Sequence, residues 1–262
     1  MGEDKRYGSI GFIGGGRITQ IFLSGWKKED ALPKIIRVSD SNPDVLRELK
    51  TKHPEVDISA ENNGAAQCDI VFLALHPPAI GGILEGIKAV LKSDAILISL
   101  APKWTIAKLS ASLGGFDRIV RMIPNAPSVI GEGYNPVAFS NTITDNHKKY
   151  ILKLFKAFGD CPEVQESNLE SYAILSAMGP TYLWFQIQKL RELGVSFGLS
   201  EKETDKTLYA MIKGAAKTLF KSDLSYADVV NLIPLKPLAE DEPMILQSYE
   251  TKLRGLYEKL KA

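Results

Sequence analysis

Gly14, Gly15 and Gly16, followed by Arg17, Ile18 and Thr19, stand between an apolar run at Ser9–Ile13 and a helical stretch at Arg17–Lys28. At that place the spacing can do chemistry. The first glycine permits a tight turn, the next lets backbone N–H groups approach a pyrophosphate, and the start of a helix carries partial positive charge. Thr19 is larger than the small residue usual at the third position of such a turn, but it adds only one short branch. The next apolar run ends in Ser39 and Asp40, where an acidic side chain would accept from a ribose hydroxyl. Asp40 would repel the 2′-phosphate of NADP, whereas Arg17 and Arg37 would accommodate it, so these residues leave NAD and NADP both open. Asp40 also reads as a turn or capping residue ahead of the next helix.

Other chemistries find less support. Cys68 and Cys161 form no CxxC pair, and His53, His76 and His147 show no spacing that sets two imidazoles on one helix face. No metal site is expected. The thiols read as small buried groups, and only His76, at the end of an apolar run, has a suggestive place.

The elements that must position these residues alternate over the first 140 or so residues. Strands are predicted at Ser9–Ile13, 35–38, 70–75, 95–100 and 118–122, and helices at Arg17–Lys28, 44–52, 79–91 and 106–113. Continuous apolar strands separated by helices imply βαβ units and a parallel, doubly wound sheet. After about residue 160 the character changes, and from Leu169 onward only helices are predicted. Tyr182, Leu183, Trp184, Phe185, Ile187, Leu190 and Leu193 place large apolar groups almost all the way round one of them. Such a helix needs cover on more than one side, and pairing with a second subunit would supply it. Packing against the chain's own sheet domain is the alternative.

Composition bounds the rest. The chain of 262 residues has 32 Lys and Arg against 31 Asp and Glu, with 45% hydrophobic residues. A nucleic-acid binder would carry a basic surplus. The longest apolar run, 70–75, is far short of the roughly 20 residues of a membrane helix, and the N-terminus MGEDKRYGS has no signal-peptide core. A soluble, cytoplasmic protein with a small-molecule substrate, and neither nucleic acid nor membrane as partner, is expected.

The segments IGFIGGGRI, DIVFLALHPPAI, LISLAPKWTIAKL, RIVRMIPNAPSVIGEGYNPV and SAMGPTYLWFQIQKLRELGVSFGLS, in that order, resemble the pyrroline-5-carboxylate reductases of proline biosynthesis over about residues 1–225. The resemblance implies an N-terminal Rossmann-type domain, 1–160, that binds NADP or NAD, and an all-α dimerisation and substrate domain, 161–262, that interlocks with a second copy. It places Gly14, Gly16, Arg17 and Ile18 on the pyrophosphate and Ser39, Asp40 and Asn63 at the adenosine end. Ala74, Leu75, His76 and Pro77 fall on the turn bordering the nicotinamide, with His76 where the family usually has lysine. Ala101, Pro102 and Asn125 complete the cofactor set. Ser176, Gly179 and Pro180 fall beside the substrate.

Two departures bear on the substrate. Met178 stands where the family has a serine, and a thioether cannot donate that hydroxyl's hydrogen bond. The family's TSPGGTT-like loop, which holds the substrate carboxylate, corresponds to Asp228, Val229, Val230, Asn231, Leu232, Ile233, Pro234, Leu235, Lys236 and Pro237. Lys236 offers a replacement charge, although a lysine before Glu240, Asp241 and Glu242 also reads as a surface residue. For proton delivery the candidates are Ser176, Tyr182 and His76, with water as a fourth. Three functions follow: an NAD(P)H-dependent pyrroline-5-carboxylate reductase, a reductase or dehydrogenase for another imine, oxo or hydroxy substrate, and a dinucleotide-binding dimer without turnover.

Overall fold

A computed structural model describes residues 7–261. Its main sheet has the strands β1 (Ser9–Ile13), β2 (Ile35–Ser39), β3 (Asp57–Ser59), β4 (Ile70–Leu73), β5 (Ile96–Ser99) and β6 (Ile119–Met122). A short pair follows, β7 (Gly133–Tyr134) with β9 (Gly159–Asp160), and β8 (Val137–Phe139) closes the main sheet. The order is β3-β2-β1-β4-β5-β6-β8, parallel throughout except for the antiparallel pair β6–β8. The helices between strands are α1 (Arg17–Lys28), α2 (Pro43–Lys52), α3 (Asn63–Ala66), α4 (Pro77–Ile87), α5 (Ile106–Ser112) and α6 (Asp145–Phe155). The doubly wound α/β class follows from the strand sequences: a parallel strand covered on both faces must be apolar on both. All four residues of β4 are buried.

Alternation then sorts side chains between the two faces. Phe12 on β1 lies opposite Phe72 on β4, with ring centroids 4.5 Å apart, and both join Phe22, Trp26, Phe155 and Phe158 on one face. Ile13, Val71, Leu73 and Leu97 point the other way, onto Ile80 and Leu84 of α4 and Leu109 of α5. Trp26 is fully buried, and its indole N–H donates to the Leu154 carbonyl at 2.9 Å. It thereby ties α1 to α6.

The strand predicted over 70–75 stops at Leu73. Pro77 and Pro78 supply no N–H to extend the ladder, and Pro77 holds His76 in an extended conformation (φ −68°, ψ 142°) from which α4 starts. Three short elements escape the periodicity: β3, β8 and the β7–β9 pair have two or three residues each, too few to show a period.

The described residues pack as two compact units, 7–178 with 257–261, and 179–256. The break falls after Met178, whereas the sequence reading divides the chain at 160. The first unit includes α7 (Leu169–Tyr172) and a π-helical turn at Ala173–Ala177, in which Met178 N–H donates to the Ala173 carbonyl. The second consists of α8 (Gly179–Ser196), α9 (Glu201–Lys221), α10 (Tyr226–Asn231) and most of α11 (Glu242–Lys261). Within it, Ser200 and Glu203 form a capping box at the start of α9, and Arg191 bridges Asp205 and Glu201. No residue of α8 is buried. Trp184 is 53% and Phe185 67% exposed.

One buried group makes stability depend on pH. His53 caps α2 with 3% exposure, and neither ring nitrogen has a hydrogen-bond partner. Burial, opposed by Glu55 at 3.7 Å and assisted by Lys27, holds the imidazole below its ordinary value of 6.5. The unfolded chain therefore takes up this proton first, and the stability present above pH 6.5 declines as pH falls through that value. Urea midpoints at pH 7.5 and 5.5 should differ less for His53→Gln than for the wild type; equal differences would exclude His53 as the source.

Candidate functional site

The strand order reverses between β1 and β4, and a crevice opens at the carboxyl ends of these strands. A cleft of about 500 Å³ lies there, within the range of small-molecule sites. Its lining joins the glycine turn (Gly14, Gly16, Arg17, Ile18) and Asp40 to the turn after β4 (Ala74, Leu75, His76, Pro77), and then to Leu100, Pro102, Ile123, Pro124, Ala173, Ala177 and Met178. All belong to the first unit.

The glycine turn is built by close approach. Gly14 has φ +105°, and a Cβ on it would lie 2.3 Å from the Ala74 carbonyl oxygen. Its N–H donates to the Ser39 carbonyl at 2.8 Å, and its own carbonyl accepts from the Thr19 hydroxyl at 2.6 Å. Thr19, fully buried, thus turns its extra branch into a clasp for the turn. Gly16 caps α1, and a Cβ there would meet nothing within 4 Å. The first intrahelical bond runs from Gln20 N–H to the Gly16 carbonyl, so the amides of Arg17 and Ile18 precede the ladder. The first turn contains no acid, and Arg17 is exposed beside it. These features fit the pyrophosphate of a dinucleotide: an open cradle, N–H groups, the positive end of a helix, and a cation.

Asp40 braces this cradle. One carboxylate oxygen accepts from Gly15 N–H and the other from Asn42 N–H, each at 2.8 Å. Ser39 is buried, and its hydroxyl donates to Asn62 Oδ1 at 2.8 Å, so it reaches the neighbourhood through Asn62 rather than as part of the cleft wall. Asn63 is exposed at the start of α3 and does not line the cleft.

At the other end, the indole N–H of Trp104 donates to the Pro77 carbonyl at 3.0 Å, joining the turn after β5 to the start of α4. His76 is exposed at the rim as the N-cap of α4, and its side chain makes no cap bond. Ala101 is buried behind Pro102. Asn125 is buried and engaged in structure: its N–H donates to Asn135 Oδ1 at 3.0 Å, and its Oδ1 accepts from Tyr134 N–H at 3.2 Å. Asn135, fully buried and also bonded to Ser128 and the Phe158 carbonyl, is a positioning group that sequence reasoning missed. The sole signal for it was a polar residue inside the segment that follows Pro124.

The proton-donor candidates separate. His76 lines the cleft. Ser176 does not, and its hydroxyl donates back to the Tyr172 carbonyl at 2.9 Å. Tyr182 belongs to the second unit, edge-on to Tyr249, and burial together with that neighbour raises its phenol above the ordinary value. Gly179 and Pro180 begin α8, and Lys236 is exposed in the connection between α10 and α11, all in the second unit. Of the thiols, burial raises Cys68 and pushes Cys161 up to about 12, which removes both as nucleophiles at neutral pH. Among the described residues no group of three or more His, Cys, Asp or Glu is placed to hold a metal.

Comparison with known proteins agrees with this geometry. The family described as NADP oxidoreductase coenzyme F420-dependent matches residues 9–103, from β1 to the turn after β5. The pyrroline-5-carboxylate reductase of Corynebacterium melassecola is 26% identical over 252 residues, covering 95% of this chain and 93% of that protein. The Escherichia coli enzyme of the same name is 26% identical over 81% of this chain and 80% of its own. Among solved structures, pyrroline-5-carboxylate reductase from Coxiella burnetii superposes with a TM-score of 0.70 at 27% identity, over 97% of this chain and 94% of that one. A Plasmodium falciparum pyrroline carboxylate reductase with NADP bound gives 0.76 at 23% identity over 96% and 95%, a likeness of fold. The Rossmann-type sheet, the glycine turn and the helical second unit follow one another here, and the chain resembles the pyrroline-5-carboxylate reductases along nearly its whole length.

Proposed function

We propose that this protein is an NAD(P)H-dependent reductase of a cyclic C=N bond, with pyrroline-5-carboxylate as the first substrate to test and proline as its product. The observation that carries the reading is the single cleft that runs from the glycine cradle to an apolar end walled by Leu75, Pro102, Ile123, Pro124 and Met178. A bound dihydronicotinamide supplies the hydride. The chain's residues bind and orient. Arg17 and the first amides of α1 would hold the pyrophosphate, Asp40 would face the ribose, and the turn from Ala74 to Pro77 with Pro102 would border the nicotinamide. The apolar wall excludes water from the carbon that receives hydride. Of the candidate acids, only His76 lines this cleft, and it can release a proton toward the substrate nitrogen directly or through water.

We infer further that the second unit pairs with a second copy of the chain. The exposure of Leu183, Trp184, Phe185 and Phe220 on its long helices supports this, since such a patch is costly in water. A scattering mass should give a dimer or a larger homo-oligomer, and a monomer at low micromolar concentration would remove the inference. The domain roles follow: cofactor on the sheet unit, dimerisation and substrate contacts, Gly179, Pro180 and Lys236 included, from the helical one. No described helix is long and apolar enough to cross a membrane. Two free cysteines suit a reducing compartment, and we place the enzyme in the cytoplasm.

A second reading has its own support. Met178 lines the cleft, and the segment aligned with the family's carboxylate loop is here α10 followed by exposed Leu232, Ile233 and Leu235. These groups favour a different imine, oxo or hydroxy substrate on the same scaffold. The deciding assay follows NADH and NADPH oxidation with pyrroline-5-carboxylate beside a panel of cyclic imines and 2-oxo acids. Turnover of the pyrroline is the expected result. Turnover of other members alone would establish the second reading, and tight cofactor binding without any turnover would overturn both.

A further inference from the structure

We infer that Arg121 is a positioning residue that fixes the wall of the cleft facing the hydride acceptor. Arg121 lies on β6 with 1% exposure, among the largest fully buried side chains. A guanidinium there is far from water and its charge must be met internally; Nε has no hydrogen-bond partner, so the terminal nitrogens carry the pairing. Its two terminal nitrogens fork over two carboxylates: Nη1 donates to Glu166 Oε1 at 3.0 Å and Nη2 to Glu170 Oε1 at 2.7 Å. Each of those oxygens takes a second hydrogen bond from the loop after β5. Lys103 N–H donates to Glu170 Oε1 at 3.3 Å and Ile106 N–H to Glu166 Oε1 at 2.6 Å.

The three chain segments joined at this point are three of those that build the apolar end of the cleft, where Leu75 of the turn after β4 also lies. Two residues after Arg121 come Ile123 and Pro124. Immediately before Lys103 stands Pro102, with Leu100 beyond it. Three residues after Glu170 the π-helical turn begins, carrying Ala173, Ala177 and Met178. The loop is held in a conformation it would not choose alone: Lys103 has φ +71°, a left-handed value that a side chain disfavours, and its N–H is the group bound by Glu170. A π-helical turn is likewise a local departure that needs outside support. The glycine cradle has no member in this network. The clamp therefore sets the acceptor wall independently of the phosphate end.

The inference rests on the reductase reading for its kinetic consequence, so the test carries a readout that does not. Two variants of the full-length protein serve. Glu166→Ala removes the more exposed of the two carboxylates, 32% against 11% for Glu170, and leaves Glu170 on the guanidinium. Arg121→Lys keeps the buried charge but offers one nitrogen, which cannot span both carboxylates. Both should bind ADP-ribose within about twofold of wild type, while the fluorescence enhancement of bound NADH falls. With the imine that the wild type reduces, kcat should fall by about tenfold, more than KM changes, as expected for misplacement of reacting groups rather than loss of binding. A lower melting temperature alone, with NADH emission and kcat unchanged in Glu166→Ala, would overturn the inference and leave the network a stability element. So would an equal loss of ADP-ribose affinity. If Arg121→Lys does not fold, Glu166→Ala decides. If the wild type reduces no imine, the reductase reading falls, while NADH emission set against ADP-ribose affinity still decides the clamp.

Discussion

Gly16→Trp is expected to abolish dinucleotide binding while leaving the fold intact. Gly16 has φ −69° and ψ −162°, values any residue adopts, and a Cβ there meets no atom within 4 Å. The glycine is therefore not demanded by the folded chain. What a side chain would fill is the space in front of the first amides of α1. An indole there would occupy the place proposed for the pyrophosphate and block the approach of the anion to the helix start. The affinity for NADH and NADPH should drop by about 100-fold or more, equivalent to about 2.7 kcal/mol, with the thermal midpoint within about 2 °C of wild type. Titration of protein fluorescence beside a melting curve checks both. Retained affinity would show that this turn is not the phosphate site.

Gly14→Ala should fail in the opposite way, through the fold. Two costs add at this position. The backbone is at φ +105°, where an L side chain is strained. The new methyl would also sit 2.3 Å from the Ala74 carbonyl oxygen and 2.9 Å from its carbon, and backbone atoms there cannot swing aside as a side chain would. We expect a loss of about 3 kcal/mol in unfolding free energy, in the range of substitutions at special backbone positions. The turn after β4 must move for the methyl to fit, so cofactor affinity should fall together with stability. Urea unfolding measures the first and equilibrium dialysis the second. Near wild-type stability would mean that the packing of β1 against the Ala74 turn is looser than these distances imply. Taken together, the two substitutions distinguish a glycine kept for the ligand from one kept for the chain.

The sheet was readable because burial on both faces leaves continuous apolar strands, and the five longest strands are found close to their predicted positions. Short elements were not readable. β3 and β8 have three residues each, and β8 pairs antiparallel with β6 because of where the chain returns, not because of its own pattern. Of the candidate site, Gly14, Gly16 and Arg17 were legible as one turn and Asp40 as the end of the next strand, since a tight turn ahead of a helix imposes local residue types, and the four line one cleft. Thr19 was legible only as a departure; its role as a clasp on Gly14 needed the distance. Arg121, Glu166 and Glu170 were invisible. They lie far apart in sequence, and a charged residue inside an apolar strand has no local signature of the partners that satisfy it.

What the sequence by itself determined, then, is the set of interactions between near neighbours: the periodicity that makes strands and helices, the prolines that stop β4, and the glycines that turn β1 into α1. The tertiary structure decided which distant groups meet. It brought His76 and Met178 to one cleft, turned Ser176 back onto its own helix, and closed two carboxylates over one buried guanidinium. The physical reason is the range of the forces. Backbone sterics and hydrogen-bond periodicity act over a few residues and are written in local residue types, whereas pairing of buried polar groups depends on their separation in space, which only the packed sheet sets.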